Sequence, residues 1–261
     1  MKYGVSSISV IPMRHEPSER SEMVSQLLLG ECLTILEEQG SWSYVENAYD
    51  GYKGWIDSKT YTPVSKKYFD EFVEHSGYET CPGICHAYDT TRGDHILIPT
   101  GANLNYYNDE TKEFEIADKR YKITSFIDVV NFRKSTEIVD MAVALLNTPY
   151  VWGGRSAFGI DCSGLTQLLY KIAGVKLPRD ASEQVQEGTP VNFVSEAKPG
   201  DLAFFDNEEG NIIHVGILDG EGNIIHASGK VRKDTFDQQG IFNNRLGKYT
   251  HNLRVIKRIV E

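Results

Sequence analysis

Along residues 1–63 apolar and polar positions alternate in short runs, the two-residue period of half-buried β-strands. Cys32-Leu33-Thr34-Ile35-Leu36 and Trp42-Ser43-Tyr44-Val45 are rich in β-branched and aromatic residues, with Glu38-Gln39-Gly40-Ser41 as a turn between them. Asp50-Gly51 predicts a hairpin. Beyond it, Gly51-Tyr52-Lys53-Gly54-Trp55-Ile56 resumes a strand with Tyr52 and Ile56 on one face and Trp55 on the other. Strands this short and this closely spaced predict a small all-β barrel over residues 1–63. In residues 64–132, Lys67-Tyr68-Phe69-Asp70-Glu71-Phe72-Val73 fits a short helix or a strand. His95-Ile96-Leu97-Ile98 and Phe114-Glu115-Ile116 read as strands around turns at Gly101 and Asn108-Asp109, giving a second β-rich module.

From Thr136 the period changes. Ile138, Met141, Ala142, Leu145 and Leu146 form a helical stripe, Ser135 or Thr136 can cap it, and Pro149 follows its end. Leu165, Leu168, Leu169 and Ile172 repeat the spacing and stop at Gly174. Further on, Ile212-Ile213-His214-Val215-Gly216-Ile217-Leu218 and Asn223-Ile224-Ile225-His226-Ala227 flank Asp219-Gly220-Glu221-Gly222, the pattern of a hairpin. Residues 133–261 therefore read as a third, α+β domain.

Composition narrows the partners. With 40% apolar and 25% charged residues, the 261-residue chain is ordinary for a globular protein with ample core. Its 27 basic and 37 acidic residues give a net charge of −10, with no Lys/Arg-rich run, which argues against a general nucleic-acid binder. Met1-Lys2-Tyr3-Gly4-Val5-Ser6 lacks the charged-then-apolar pattern of a secretory signal, and Leu27-Leu28-Leu29 is far too short to span a bilayer. A cytoplasmic protein without a membrane span is expected, although a secreted chain trimmed of its signal would read the same. The four cysteines, Cys32, Cys81, Cys85 and Cys162, are too few for a disulfide scaffold.

The candidate chemistry centres on Cys162. It falls on the first turn of the second helix, where unpaired N–H groups and the helix dipole favour a thiolate, the setting of a nucleophile. A free cysteine is also commonly just a small buried residue. If the following hairpin turns about Gly220, His214 stands directly opposite His226 on the same face. A slip of one residue would break that relation. Two facing imidazoles are an expensive way to fill a core, because each ring nitrogen needs a partner. A base and its orienter is the alternative, in the manner of a cysteine–histidine–polar triad.

Taken in order, Pro149-Tyr150-Val151-Trp152-Gly153-Gly154, Asp161-Cys162-Ser163-Gly164, Pro199-Gly200-Asp201-Leu202, His214-Val215-Gly216-Ile217 and His226-Ala227 resemble the successive motifs of the NlpC/p60 cysteine peptidases over residues 136–261. The resemblance implies a papain-like catalytic domain with Cys162 as nucleophile, His214 as general base, His226 as third polar member and Tyr150 beside the oxyanion. It places Trp152, Asp161, Ser163 and Asp180 along the substrate cleft. This chain has Ala181 where relatives often carry serine after that aspartate. Leu29-Gly30-Glu31 and Asp50-Gly51-Tyr52-Lys53-Gly54-Trp55-Ile56 are similar to the first bacterial SH3-like module of NlpC enzymes with tandem modules. The fold implied is thus two SH3-like barrels before an α+β peptidase domain, the first module contributing to the cleft. Such enzymes act on murein-derived peptides, L-Ala-γ-D-Glu-L-Lys or its diaminopimelate counterpart. Glu31 and Tyr52 are then the candidates to meet the substrate's free amine. No cofactor or metal is implied, and nothing in the sequence speaks to oligomeric state.

Three rivals remain. Cys81-x3-Cys85 with His86 and His95 has zinc-ligand spacing, but Pro82-Gly83 reads as a turn and a fourth ligand is not convincingly placed. A wall-binding protein would explain SH3-like modules, but it has no need of Cys162, His214 and His226 together. An amidase or a hydrolase of intact peptidoglycan would use the same residues.

Overall fold

The alternating runs at the start of the chain fold as seven antiparallel strands in this computed structural model, which describes residues 1–74, 83–125 and 135–260. They are β1 (Lys2–Ser6), β2 (Val10–Arg14), β3 (Met23–Leu28), β4 (Cys32–Gln39), β5 (Trp42–Asn47), β6 (Lys53–Asp57) and β7 (Tyr61–Val64). Their order in the sheet is β3-β2-β6-β5-β4-β1-β7. Ile11, Met13, Leu27, Leu33, Ile35, Val45 and Ile56 point to one side and are buried, with Tyr52 packed against them. At roughly 1.5–3 kcal/mol for each fully buried aliphatic side chain, that row holds the sheet together. The β5–β6 turn is the Asp50-Gly51 one: Gly51 takes φ 75°, and its N–H donates to the Asn47 carbonyl at 2.8 Å.

The ambiguous segment after β7 is a helix, α1 (Lys66–Glu74). Then β8 (Ile84–Asp89), β9 (His95–Pro99), β10 (Glu113–Ile116) and β11 (Lys119–Ile123) form a four-stranded antiparallel sheet in the order β10-β11-β8-β9. The two expected modules share one core, in which Val5, Leu29 and Cys32 pack with Phe72, Ala87, Ile98, Phe114 and Tyr121. Gly30, at φ 79°, shows how closely they meet, since a Cβ there would stand 1.9 Å from the Asn103 carbonyl oxygen. Residues 1–131 accordingly form a single compact unit, joined by Trp152–Ala157 with its two-residue strand β12 (Arg155–Ser156). Cys81 lies outside the described residues. Cys85 is disulfide-bonded, so its sulfur is not a thiolate ligand. Among the described residues no helix is long and apolar enough to cross a membrane.

The second unit comprises residues 132–151 and 158–261. Its helical stripe forms α2 (Ser135–Ala144), with Ile138, Met141 and Ala142 buried, as is Leu145 just beyond it. After the two-residue β13 (Gly159–Ile160) come α3 (Cys162–Ile172) and the single-turn α4 (Ala181–Gln184). Seven strands follow: β14 (Thr189–Val191), β15 (Leu202–Asp206), β16 (Ile212–Leu218), β17 (Asn223–Ser228), β18 (Lys230–Asp237), β19 (Gly240–Asn243) and β20 (Lys248–Arg258). β15 to β20 pair in sequence, and β20 pairs with both β15 and β19, so these six strands close into a barrel with β14 added along β20. Alternation puts Ala203, Phe205, Leu218, Ile224, Phe236, Ile241 and Ile256 inside it. The opposite face of β16 and β17 meets α2 and α3.

The β16–β17 register differs from the expected one. Ile217 stands opposite Ile225 and Leu218 opposite Ile224, a shift of two residues. The cause is Asp219, whose Oδ1 accepts the N–H groups of Glu221 and Asn223 and so fixes a wider turn between Gly220 at φ 79° and Gly222 at φ 81°. A two-residue shift preserves which face each side chain takes. His214 and His226 therefore remain on one face, but diagonally related rather than directly opposed. Continued one step, this register sets Gly216 against His226.

Candidate active site

Asp161 makes the start of α3. Its Oδ1 accepts the Gly164 N–H at 2.7 Å as the helix N-cap, and both of its oxygens take the buried Arg179 guanidinium, at 3.1 and 2.6 Å. Arg179 also donates to the Ser163 hydroxyl at 2.9 Å. Asp161 and Ser163, expected along the cleft, thus have a local task in holding the helix start on which Cys162 sits. Arg179 is not among the site residues that the sequence suggests, although it directly precedes Asp180.

Cys162 is a free thiol, 8% exposed, with its sulfur at the backbone N–H groups of Ser163 and of Val215, the residue after His214. Burial, helped by Asp161, pushes the thiol up from 9.0 to about 11 against those N–H groups and Arg179. A rise of that size is worth roughly 3 kcal/mol, whereas a helix start offers only about 0.3–1 kcal/mol. Desolvation wins, and the resting residue is a thiol rather than the thiolate expected from its helix position.

The histidines lie inside the barrel. His214 Nε2 and His226 Nδ1 are 2.8 Å apart, with the rings nearly perpendicular at 85°. Burial, then the neighbouring His226 and His251, drive His214 well below 6.5, so its imidazole is neutral. Beyond His226, Nε2 meets Asp234 Oδ2 at 3.1 Å, and Arg232 contacts the same carboxylate at 2.8 Å. Burial works against an ionised Asp234, but the hydrogen bond from His226 and the Arg232 contacts outweigh it and hold the carboxyl below its usual range. His251 on β20 stacks on His214 at 4.3 Å between centroids and 24°, and burial and His226 bring it down to about 4. Neither Asp234 nor His251 was read from the sequence. Asp234 had a signal, because a tight turn at Gly229 sets Arg232 opposite His226 and Asp234 two residues further on the same face. His251 had none, since pairing between β19 and β20 passes through a register shift.

Gly216 makes the histidine contact possible. A Cβ at this position would lie 2.9 Å from His226 Cβ and 2.7 Å from Ile224 Cδ1. The isoleucine tip can move, whereas the histidine Cβ is fixed to the strand. Gly216→Ala is expected to displace His226 and lower kcat by about 10²-fold, the scale of a misplacement near 1 Å, with little change in KM. Steady-state kinetics on the folded variant check this.

The other expected residues divide between the units. Tyr150 is half-buried in the second unit, and desolvation, with Cys162 and Asp161 nearby, pushes its phenol up to about 12, leaving a neutral O–H donor. Asp180 caps α4 from a half-buried position without a side-chain cap bond. Trp152 belongs to the first unit, exposed, its indole N–H donating to Glu22 at 2.6 Å. Tyr52 packs on the core of the seven-stranded sheet of that unit. Glu31 departs from expectation. It is fully buried, and its carboxylate pairs with Arg155 at 3.0 and 3.1 Å and accepts the Leu28 N–H at 2.9 Å. Arg155 occupies the place at that carboxylate where a substrate ammonium was expected. Among the described residues no group of three or more His, Cys, Asp or Glu is arranged to hold a metal ion.

Comparison with known proteins matches residues 147–250 to the NlpC/P60 family and residues 13–60 to the bacterial dipeptidyl-peptidase Sh3 domain. The γ-D-glutamyl-L-lysine dipeptidyl-peptidase of Bacillus subtilis is 31% identical over 220 residues, covering 78% of this chain and 71% of the relative. Dipeptidyl-peptidase 6 of Lysinibacillus sphaericus is 27% identical over 256 residues, 86% of this chain and 88% of its own length. The crystal structure of an NlpC/P60 family protein from Bacillus cereus aligns with a TM-score of 0.82 over 99% of this chain and 100% of that one; at 19% identity the likeness is one of fold.

Proposed function

Because the chain belongs to the NlpC/P60 family of cysteine peptidases, we propose that it cuts the γ-D-glutamyl–L-diamino acid bond of cell-wall peptides with a free N-terminal L-alanine, releasing L-Ala-D-Glu in murein peptide recycling. The chemistry rests on one observation above all: a buried thiol on a helix start, beside the backbone of β16 at His214, whose imidazole is neutral and engaged on its far nitrogen by His226. Support for the bond comes from the name of the Bacillus subtilis relative, a γ-D-glutamyl-L-lysine dipeptidyl-peptidase, which aligns over most of this chain.

With substrate bound, His214 Nδ1 takes the Cys162 proton as Sγ bonds to the γ-carbonyl carbon of D-glutamate. The Tyr150 phenol donates to the carbonyl oxygen as it gains charge. Collapse breaks the C–N bond, and the His214 imidazolium gives its proton to the departing amine. Water then adds to the thioester carbon while His214 takes its proton. The C–S bond breaks, L-Ala-D-Glu leaves, and the proton returns to sulfur.

Chromatography of digests of L-Ala-γ-D-Glu-L-Lys, of its diaminopimelate counterpart and of the N-acetylated peptides tests the substrate. L-Ala-D-Glu is expected from a free-amine peptide, with the acetylated form cut at least about 10²-fold more slowly, as for loss of a charged hydrogen-bond partner worth roughly 3 kcal/mol. Equal cleavage of the acetylated peptide, or cleavage of intact wall alone, would replace this reading with that of a wall hydrolase.

A further inference from the structure

His214 can accept the thiol proton only if its Nδ1 carries none, and a neutral imidazole has two tautomers. What selects between them is found at the far end of the hydrogen-bond chain. Asp234 is 6% exposed and, as a carboxylate, can only accept. The contact of 3.1 Å to His226 Nε2 therefore places a proton on that nitrogen. With one proton on the His226 ring, and that proton on Nε2, its Nδ1 is bare, and the 2.8 Å contact to His214 Nε2 needs the proton on His214. His214 Nδ1 is left bare.

We propose that Asp234, held by Arg232, is a positioning residue that fixes the tautomers of both histidines and so leaves His214 Nδ1 as the base for Cys162. The chain of dependence is carboxylate, His226, His214, thiol, and each step follows from donor and acceptor counting. When His214 becomes an imidazolium, the same bonds orient the His226 dipole and the Asp234 charge toward it, and no proton needs to move beyond His214. His251 stacks on the ring face of His214 and its Nδ1 is 3.0 Å from Thr250 Oγ1, so it does not compete for the His214 nitrogens through that atom.

The inference rests on the peptidase reading for its kinetic arm and on the resting protein for its spectroscopic arm. Of the two Arg232 contacts, Nη2 to Asp234 Oδ1 at 2.8 Å is a directed hydrogen bond, while Arg232 Nε has no properly directed partner. In Asp234→Asn the amide oxygen keeps the Nη2 bond and the NH2 group turns to His226 Nε2. That reverses the chain: His226 Nδ1 becomes the donor and His214 Nδ1 acquires the proton. Asp234→Ala leaves the tautomer unbiased. Long-range 1H–15N correlation of the wild-type imidazoles at neutral pH is expected to show unprotonated Nδ1 and protonated Nε2 on His214, reversed in Asp234→Asn. In hydrolysis of L-Ala-γ-D-Glu-L-Lys, kcat is expected to fall about 10⁴-fold in Asp234→Asn, as for a triad aspartate made asparagine, and markedly less in Asp234→Ala, with KM preserved in both. A protonated wild-type Nδ1, or an alanine variant as impaired as the asparagine one with unaltered tautomers, overturns the proposal. A wild-type protein that fails to cut the peptide but shows the expected tautomer would sink the substrate reading alone.

Discussion

Cys162→Ala is expected to reduce peptide hydrolysis by roughly 10⁶-fold, the scale seen when a nucleophile of an acyl-transfer triad is removed, while the fold and the melting temperature stay close to wild type. The effect on rate is large because the neighbouring hydroxyl is not placed to take over the covalent step. Ser163 comes next in the chain, but its hydroxyl accepts from Arg179 and donates toward Asp161, so it holds the helix start. The effect on stability is small because Cβ, the only side-chain carbon, is retained. The cap that fixes the helix belongs to Asp161 rather than to the cysteine. Rate and melting measured on the same preparation separate the two effects. Joint loss of both would mean that Cys162 is a packing residue.

Glu31→Ala is expected to destabilise the first unit by about 3–5 kcal/mol, the cost of stranding one member of a buried ion pair. Arg155 is 0% exposed, so the charge left behind has no water to turn to. Its surroundings would still include the Gln26 carbonyl at 2.9 Å, the Tyr49 ring at 5.4 Å and the charge of Asp50, which offset part of the loss without replacing the two hydrogen bonds to Glu31. Because 124 residues separate the partners, the pair also pins Trp152–Ala157 to the first unit, together with the Arg155 N–H bond to Gln26 at 2.8 Å. Replacing both partners by apolar residues should recover much of the loss, since the cost lies in the unpaired charge. The three tryptophans, Trp42, Trp55 and Trp152, all belong to this unit, so denaturant unfolding followed by their fluorescence reads its stability. A loss below about 1 kcal/mol, the range of an exposed pair, would contradict this account.

The features legible in the sequence were those set by local pattern. The stripe from Leu165 to Ile172 placed Cys162 at a helix start, and the flanking β-branched runs placed His214 and His226 on one hairpin face. Parity holds although the turn is wider than the sequence pattern predicts. Asp219 and two glycines of positive φ widen it by hydrogen bonds that composition does not reveal. What sequence could not give came from distant pairing. Arg155 reaches Glu31 across 124 positions, and His251 reaches His214 through barrel closure. The thiol's protonation departs from expectation for a different reason. A helix start is visible in sequence, whereas the depth of burial that overrides it belongs to the packed barrel and helices.

In the proposed reaction Cys162 carries the acyl group. Intact-mass and peptide-mass analysis of enzyme acid-quenched during turnover of L-Ala-γ-D-Glu-L-Lys tests it most directly. An L-Ala-D-Glu adduct, labile to hydroxylamine as a thioester is, is expected on the peptide containing Cys162 and absent from Cys162→Ala. Product formed by Cys162→Ala at the wild-type rate, or an adduct on any other residue, would contradict it.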